Sequence, residues 1–211
     1  AKPDKVVLVK GTSNVTDVNQ KEKTKMILRD SSGNAVEQAL SIDDNGEYVA
    51  IANVEEVKGD VLLEIKNEGS AYESILIKKE DVQSSFIKDK EIEVNPISSG
   101  NSYTIDNILF ETNSSTILED SKIVIKGFAN WLKDNKEIKV EIQGHTDNVG
   151  DAEANMALSM DRAFSVMEYL LELSISAERL TFKGYGENNP KFTNDSSENR
   201  SKNRRTDFLI F

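Results

Sequence analysis

The chain has no cysteine and a single histidine, His145. Disulfides and thiolate metal sites are therefore excluded, and so is a metal centre built from several imidazoles. The missing cysteine does not by itself identify a redox compartment. Sites made only of carboxylates stay open, although no EF-hand loop pattern is present. Long hydrophobic runs are also absent. No segment approaches the ~18 apolar residues that a bilayer span needs, and no secretory signal is visible. Proline is scarce, at three residues, and no internal repeat or low-complexity tract stands out. Positive charge is in deficit: 26 Lys and Arg against 37 Asp and Glu leave a net charge of -11. That balance argues against general nucleic-acid binding, which depends on phosphate neutralisation by cations.

What is present suits a soluble globular protein. Hydrophobic residues make up 37% and charged residues 30% of 211 positions, enough for one large or two small domains. The first residue is Ala1 rather than Met, which reads as a processed chain or an excised piece. Short apolar or alternating runs fill the first half: Val6–Val9, Lys25–Leu28, Glu47–Ile51, Val61–Ile65, Ser74–Ile77 and Ile92–Val94. Turn-forming clusters separate them, at Asp30–Asn34, Asp43–Gly46 and Asn67–Ser70. Short strands at this spacing predict an antiparallel β-sandwich over residues 1–95. Asn45-Gly46 fits a turn that needs positive φ. Residues 96–104 read as a linker, with Pro96 ending a strand and Ser and Gly supplying a polar join.

The pattern then changes. Ile108–Phe110 is a strand candidate. Residues 119–134 predict a helix, because Leu118, Ile125, Phe128, Ala129 and Leu132 recur at helical spacing. Ile138, Val140 and Ile142 alternate as a strand, and residues 152–173 predict a longer helix. Leu180 and Phe182 mark another strand and Thr206–Phe211 a last one. Strands alternating with helices imply a mixed sheet covered by helices over residues 105–211, so the whole chain reads as α+β.

The densest chemistry lies between Gly144 and Ala163. Asp147 sits in a Gly-bounded loop, Gly144–Gly150, and Arg162 follows fifteen positions later on the predicted helix. Asn155, Ser159 and Arg162 stand at i, i+4 and i+7 and share one helix face. The loop leads into that helix, whose N-terminal N–H groups favour anions. Arg162 offers a planar fork that matches a carboxylate, and Asp147 accepts from an ammonium. Together they suit a zwitterionic amino-acid group. The other reading, left open, is that Asp147 and Arg162 pair with each other, an arrangement worth only ~0–1 kcal/mol if exposed.

Four ordered segments carry a family resemblance. Ile108–Leu118 resembles the opening strand and loop of the OmpA-like C-terminal domain. Gly144-His145-Thr146-Asp147 with Gly150 is similar to its central loop. Asn155, Leu158, Ser159, Arg162 and Ala163 match its signature helix, and Gly184–Glu187, Pro190, Asn199 and Asn203-Arg204-Arg205 its end. The resemblance implies non-catalytic binding of peptidoglycan through the diaminopimelate residue of the stem peptide, with no cofactor, no metal and no catalytic residue. It implies that Asp147 and Arg162 clasp the ammonium and carboxylate of that residue. Thr112 and Asn113 are expected to supply loop contacts, Asn155, Leu158 and Ser159 to line the pocket, and Arg205 to join the site. Asp161 stands where a neutral or basic residue is common in the family, but adjacent helix positions do not face each other.

Asp30–Val36 followed by Asp43–Tyr48 resembles, more weakly, a carboxypeptidase-regulatory-like sandwich. The order of the two domains is similar to that in periplasmic outer-membrane lipoproteins of gliding and secretion machinery in Bacteroidetes-type bacteria. Longer upstream modules and a location in the periplasm beside the outer membrane are the corresponding expectations. Outer-membrane or secretion-machinery proteins are the expected partners besides the cell wall.

Other residues have plainer readings. His145 reads as a structural ring fixing the Asp147 loop, against a catalytic base or a metal ligand. The basic run Asn203-Arg204-Arg205, with Lys191, Arg200 and Lys202, is either a solvated face or an attractor for wall carboxylates, and one arginine can pack through its stem. Gly184–Glu187 reads as a fold element and Trp131 as core or rim of the first helix, against a sugar-stacking role. Asp43, Asp44, Glu47, Glu55 and Glu56 read as solvated turn residues rather than a calcium site. No motif points to the paired carboxylates of glycoside hydrolysis. The alternatives to a wall anchor are a structural adaptor whose sandwich binds a protein, and a wall-processing enzyme.

Overall fold

A computed structural model describes residues 6–15, 17–30, 34–53, 59–81 and 86–211. It divides into two units, Ala1–Ile97 and Ser98–Phe211. The first unit contains β1 (Val6–Ser13), α1 (Val18–Lys23), β2 (Lys25–Asp30), β3 (Ala35–Ile42), β4 (Glu47–Asn53), β5 (Val61–Lys66), β6 (Glu73–Ile77) and β7 (Phe86–Ile92). The strands form one sheet in the order β6-β5-β2-β3-β4-β1-β7. Laid flat, seven strands would span roughly 29 Å. Yet Ile75 and Ile77 of β6 and Ile92 of β7, from opposite edges, share one buried cluster with Val7, Met26, Tyr48 and Leu63. The sheet therefore curls around its core. Strand β3 makes the bend, pairing with β2 through Ala35–Gln38 and with β4 through Ala39–Ile42.

Several details depart from the sequence reading. The β1–β7 pair is parallel, whereas a wholly antiparallel arrangement was expected. The last strand is Phe86–Ile92 rather than Ile92–Val94. Strand β3 and helix α1 were not anticipated. The short α1 exists because Asp17 caps it, its Oδ1 accepting from the N–H groups of Asn19 and Gln20 at 3.0 and 3.2 Å. Of the turn read at Asp30–Asn34, residues 31–33 lie outside the described residues, as do Glu55 and Glu56 of the acidic set. Asp43 caps its own turn, accepting from Asn45 and Glu47 N–H, and Asp44 pairs with Lys21. Among the described residues no acidic cluster is arranged to hold a metal ion.

The second unit contains β8 (Ser102–Ile105), α2 (Glu119–Asp134), β9 (Val140–Gly144), α3 (Ala152–Glu172), β10 (Leu180–Gly184), α4 (Ser197–Asn203) and β11 (Thr206–Ile210). Its sheet runs β10-β9-β11-β8, with β9–β10 parallel and the other pairs antiparallel. Both long helices fall where the apolar periodicity placed them. Helix α2 seats Phe128 and Trp131 on Phe208 of β11, with ring centroids 4.7 and 5.8 Å apart. Burying each such ring contributes about 1.5–3 kcal/mol. Helix α3 starts at Asp151, whose side chain accepts from Ala154 N–H at 2.9 Å. It ends with Ser174 in the left-handed region (φ 67). There Ile175 N–H bonds the Leu170 carbonyl and Ser174 N–H that of Leu171, a closing pair that satisfies two orphan carbonyls. Among the described residues no helix is long and apolar enough to cross a membrane.

The boundary between the units falls between Ile97 and Ser98, so the expected linker 96–104 is mostly structured. Pro96 bridges to Ser70 in the first unit, and Ser102–Ile105 is the edge strand β8. Conversely, Ile108–Phe110 is not a strand but an extended segment whose one bridge joins Phe110 to Ile117.

Candidate functional site

Two glycines bring α3 against the sheet beside the Asp147 loop. A Cβ on Gly144 would lie 2.1 Å from the Ser159 carbonyl oxygen, and one on Gly184 would lie 2.5 Å from Met160 N. Only hydrogen fits there, so α3 packs backbone to backbone on the ends of β9 and β10.

Past Gly144 the chain is pinned from both sides. His145 N–H donates to the Arg205 carbonyl at 3.1 Å and Thr146 N–H to the Gly186 carbonyl at 2.9 Å. The Asn155 amide spans the loop, donating to the carbonyls of Asp147 and Val149 and to Glu187 Oε2 at 2.8 Å. Ser159 is fully buried, its hydroxyl donating to the Met156 carbonyl and accepting from Gly186 N–H, both at 2.8 Å. The Asn155 amide nitrogen and the Ser159 hydroxyl are thus used on the protein itself and hold the loop in place.

Asp147 is 8% exposed. Its Oδ1 accepts from Val149 N–H at 3.0 Å, closing an Asx turn. Its Oδ2 is 2.5 Å from Nη1 of Arg204. The pairing of Asp147 with Arg162 left open by the sequence is not found; the partner is Arg204. Arg162 is half-buried, with its guanidinium 5.0 Å from the Phe110 ring centre. Its Nε donates to the Ser114 carbonyl at 3.0 Å. Among the described residues its two Nη groups have no hydrogen-bond partner and it forms no salt bridge. Burial pulls the Arg162 pKa below its usual value; the positive charge of Arg204 adds to this and Asp147 opposes it.

Arg162 faces a pocket of about 170 Å³, lined by Ile108, Leu109, Phe110, Gly144, His145, Arg162, Ser201, Arg204, Arg205 and Thr206. Three arginines therefore contribute to the wall of one small space. Arg205, expected as a ligand residue, is committed elsewhere. Its Nε donates to Asp207 Oδ2 at 2.9 Å, and its Nη groups to the carbonyls of Asn203 and Asn189. Thr112 and Asn113 are exposed at the tip of the loop between Phe110 and Ile117, outside the pocket lining. Asn113 adopts φ 53, a conformation that asparagine tolerates. Leu158 is half-buried on α3, also outside the lining. Asp161 is exposed on the same helix and forms no salt bridge with Arg162.

The sequence reading missed the role of Arg204, the ring of Phe110 beneath Arg162, and Asp207. The signal for Asp207 is faint, an acid within a closing strand, next but one to Arg205. Asn203 of the same run is a fully buried staple, accepting from Lys191 and Phe192 N–H and donating to the Phe192 carbonyl.

His145 is 4% exposed and stacks on Tyr185, with ring centres 5.1 Å apart. Neither ring nitrogen has a hydrogen-bond partner; Nε2 comes only to 3.5 Å of Asp207. Burial, then Arg205 and Lys191, push its pKa down to about 4, against the pull of Asp207. The ring is therefore neutral near pH 7, and the approach to Asp207 is not an ion pair. Its folded pKa lies below the unfolded value, so the unfolded chain binds the extra proton as pH falls. Stability is full above pH 6.5 and declines toward pH 4, by about 3 kcal/mol for a shift of this size. Urea unfolding of wild type and His145→Gln across pH 4–7 is expected to show this slope in wild type and its loss in the variant.

The OmpA family matches residues 109–204. This segment is an OmpA-family domain. Over 135 residues the chain is 37% identical to Motility protein B of Bacillus subtilis, covering 59% of this chain and 52% of that protein. It is 33% identical over 100 residues to the Peptidoglycan-associated lipoprotein of Mesorhizobium japonicum, covering 47% of this chain and 60% of the relative. The periplasmic domain of Helicobacter pylori MotB is a solved structure with 30% identity and a TM-score of 0.46, covering 52% of this chain and 81% of that one. The chain thus spans little more than half the length of these curated relatives.

Proposed function

We propose that the OmpA-family domain binds peptidoglycan without cleaving it and that the protein anchors an assembly to the cell wall. The relative named for peptidoglycan association supports this reading. The observation that carries it is the half-buried Arg162, which lines a pocket, whose Nη groups have no partner among the described residues, and on which the charge of Asp147 acts although Asp147 lies outside the pocket lining. A planar fork held in place by Ser114 and Phe110 is preorganised for a carboxylate. Asp147, fixed by Val149 and Asn155, supplies an anion for an ammonium nearby. The ligand group that presents both charges is the free end of diaminopimelate in the stem peptide. Thr112, Asn113 and Leu158 would contact the remainder of the stem, and Asn155, Ser159 and Arg205 would maintain the frame.

In this reading the protein works in the periplasm beside the outer membrane, and the first unit serves a protein partner of the anchored assembly. The test is sedimentation with purified cell wall. Wild type is expected to pellet, and Arg162→Ala and Asp147→Ala each to remain in the supernatant, with far-ultraviolet circular dichroism unchanged. High salt is expected to weaken wild-type pelleting, because exposed charges are screened. Pelleting of both variants at the wild-type level would refute the clasp, and release of soluble wall fragments would point to an enzyme.

A further inference from the structure

We infer that Arg204 is a built-in competitor for the ligand's ammonium, and that its side chain must leave Asp147 before an ammonium-bearing ligand can seat. The inference rests on the stem-peptide reading of the pocket. Arg204 Nη1 lies 2.5 Å from Asp147 Oδ2, while Val149 N–H already occupies Oδ1. Arg204 also lines the same pocket as Arg162, and its positive charge acts on Arg162.

The contrast with Arg205 shows which arginine can move. The Arg205 side chain is 8% exposed and is tied to Asp207, Asn203 and Asn189. The Arg204 side chain is 48% exposed, and Asp147 is its one side-chain partner among the described residues. Its backbone is fixed at the end of α4, where its N–H donates to the Arg200 carbonyl at 3.1 Å. It is a half-exposed arm with a fixed root and one side-chain polar partner among the described residues. An ammonium brought by a ligand exchanges one cation on Asp147 for another and releases the arm toward solvent. The exchange lowers affinity for ligands that carry an ammonium and favours those that also satisfy Arg162. The unsatisfied His145 ring in the wall contributes no competing charge near pH 7.

The test is calorimetric titration of meso-diaminopimelate, and of pimelate as the same chain without ammonium groups, into wild type, Arg204→Gln and Arg204→Gln/Asp147→Asn. Asp147 is nearly buried and Arg204 half-exposed, so the pair ranks between surface and buried ion pairs. Removing it is expected to tighten diaminopimelate binding about ten-fold, equivalent to about 1.4 kcal/mol. Pimelate binding should not tighten, and the double variant should lose the gain. If wild type binds diaminopimelate and Arg204→Gln binds it equally or more weakly, the inference fails while the stem-peptide reading stands. Binding by Arg204→Gln alone supports the inference. If no form binds diaminopimelate, both fall.

Discussion

Gly144→Ala is expected to unfold the second unit or leave it barely stable. The added methyl would sit 2.1 Å from the Ser159 carbonyl oxygen and 2.9 Å from its carbon, both backbone atoms of α3. A flexible side chain could turn away from such a contact; a helix backbone must be pushed off the sheet. Moving α3 would break the Gly186–Ser159 bond and separate Asn155 from the Asp147 loop. The cost is about 3 kcal/mol or more, at the upper end for overpacking. Thermal melting followed by circular dichroism checks it. Gly184→Ala should behave alike, because its methyl would meet Met160 N at 2.5 Å. A melt of Gly144→Ala within a few degrees of wild type would mean that α3 does not pack this closely.

Arg205→Ala is expected to have the second large effect, and to act through the fold rather than through ligand contacts. Its partner Asp207 is 2% exposed, with Thr104 and Lys191 as the other groups near its carboxylate besides Nε2 of His145. Removing the guanidinium leaves a buried anion with its strongest partner gone, a change that costs about 3–5 kcal/mol. The Arg205→Met/Asp207→Leu double variant removes both charges together and should recover much of that stability. Denaturant unfolding measures both. If Arg205→Ala keeps full stability and loses only wall binding, Arg205 is a ligand residue after all.

The sequence was most legible where one periodicity ran long enough to dominate. Helices α2 and α3 carry apolar stripes, and their ends matched closely. Strand β3 was missed because Ala35, Glu37, Gln38 and Ala39 favour helix or surface, and it becomes a strand by pairing on both sides at the bend of the sheet. Strand β8 was read as linker because its Ser102 and Thr104 are polar. They face a polar side of the sheet, where Ser102 meets Gln143 and Thr104 meets Asp207. Ile108–Phe110 was read as a strand because it is apolar, but Leu109 and Phe110 line the pocket instead.

The candidate site was half legible. Asp147 and Arg162 were recognisable as opposite charges on a loop and the helix after it; Arg162 lines the pocket, and Asp147 lies outside the lining but its charge acts on Arg162. Arg204 was not, because adjacent arginines look alike in sequence. Their fates separate only in three dimensions, where Arg204 caps the end of α4 and β11 begins two residues later. Asn155 and Ser159, which share a helix face with Arg162, were expected to line the pocket because the family resemblance implies it. That face points into the protein at their level and toward the pocket only at Arg162.

A crystal of the protein soaked with a stem-peptide fragment ending in diaminopimelate tests the central claim most directly. The expected result is ligand density in the pocket, with a carboxylate on the Nη groups of Arg162 and an ammonium on Asp147. Density on another surface, or a fragment in the pocket touching neither residue, would contradict it.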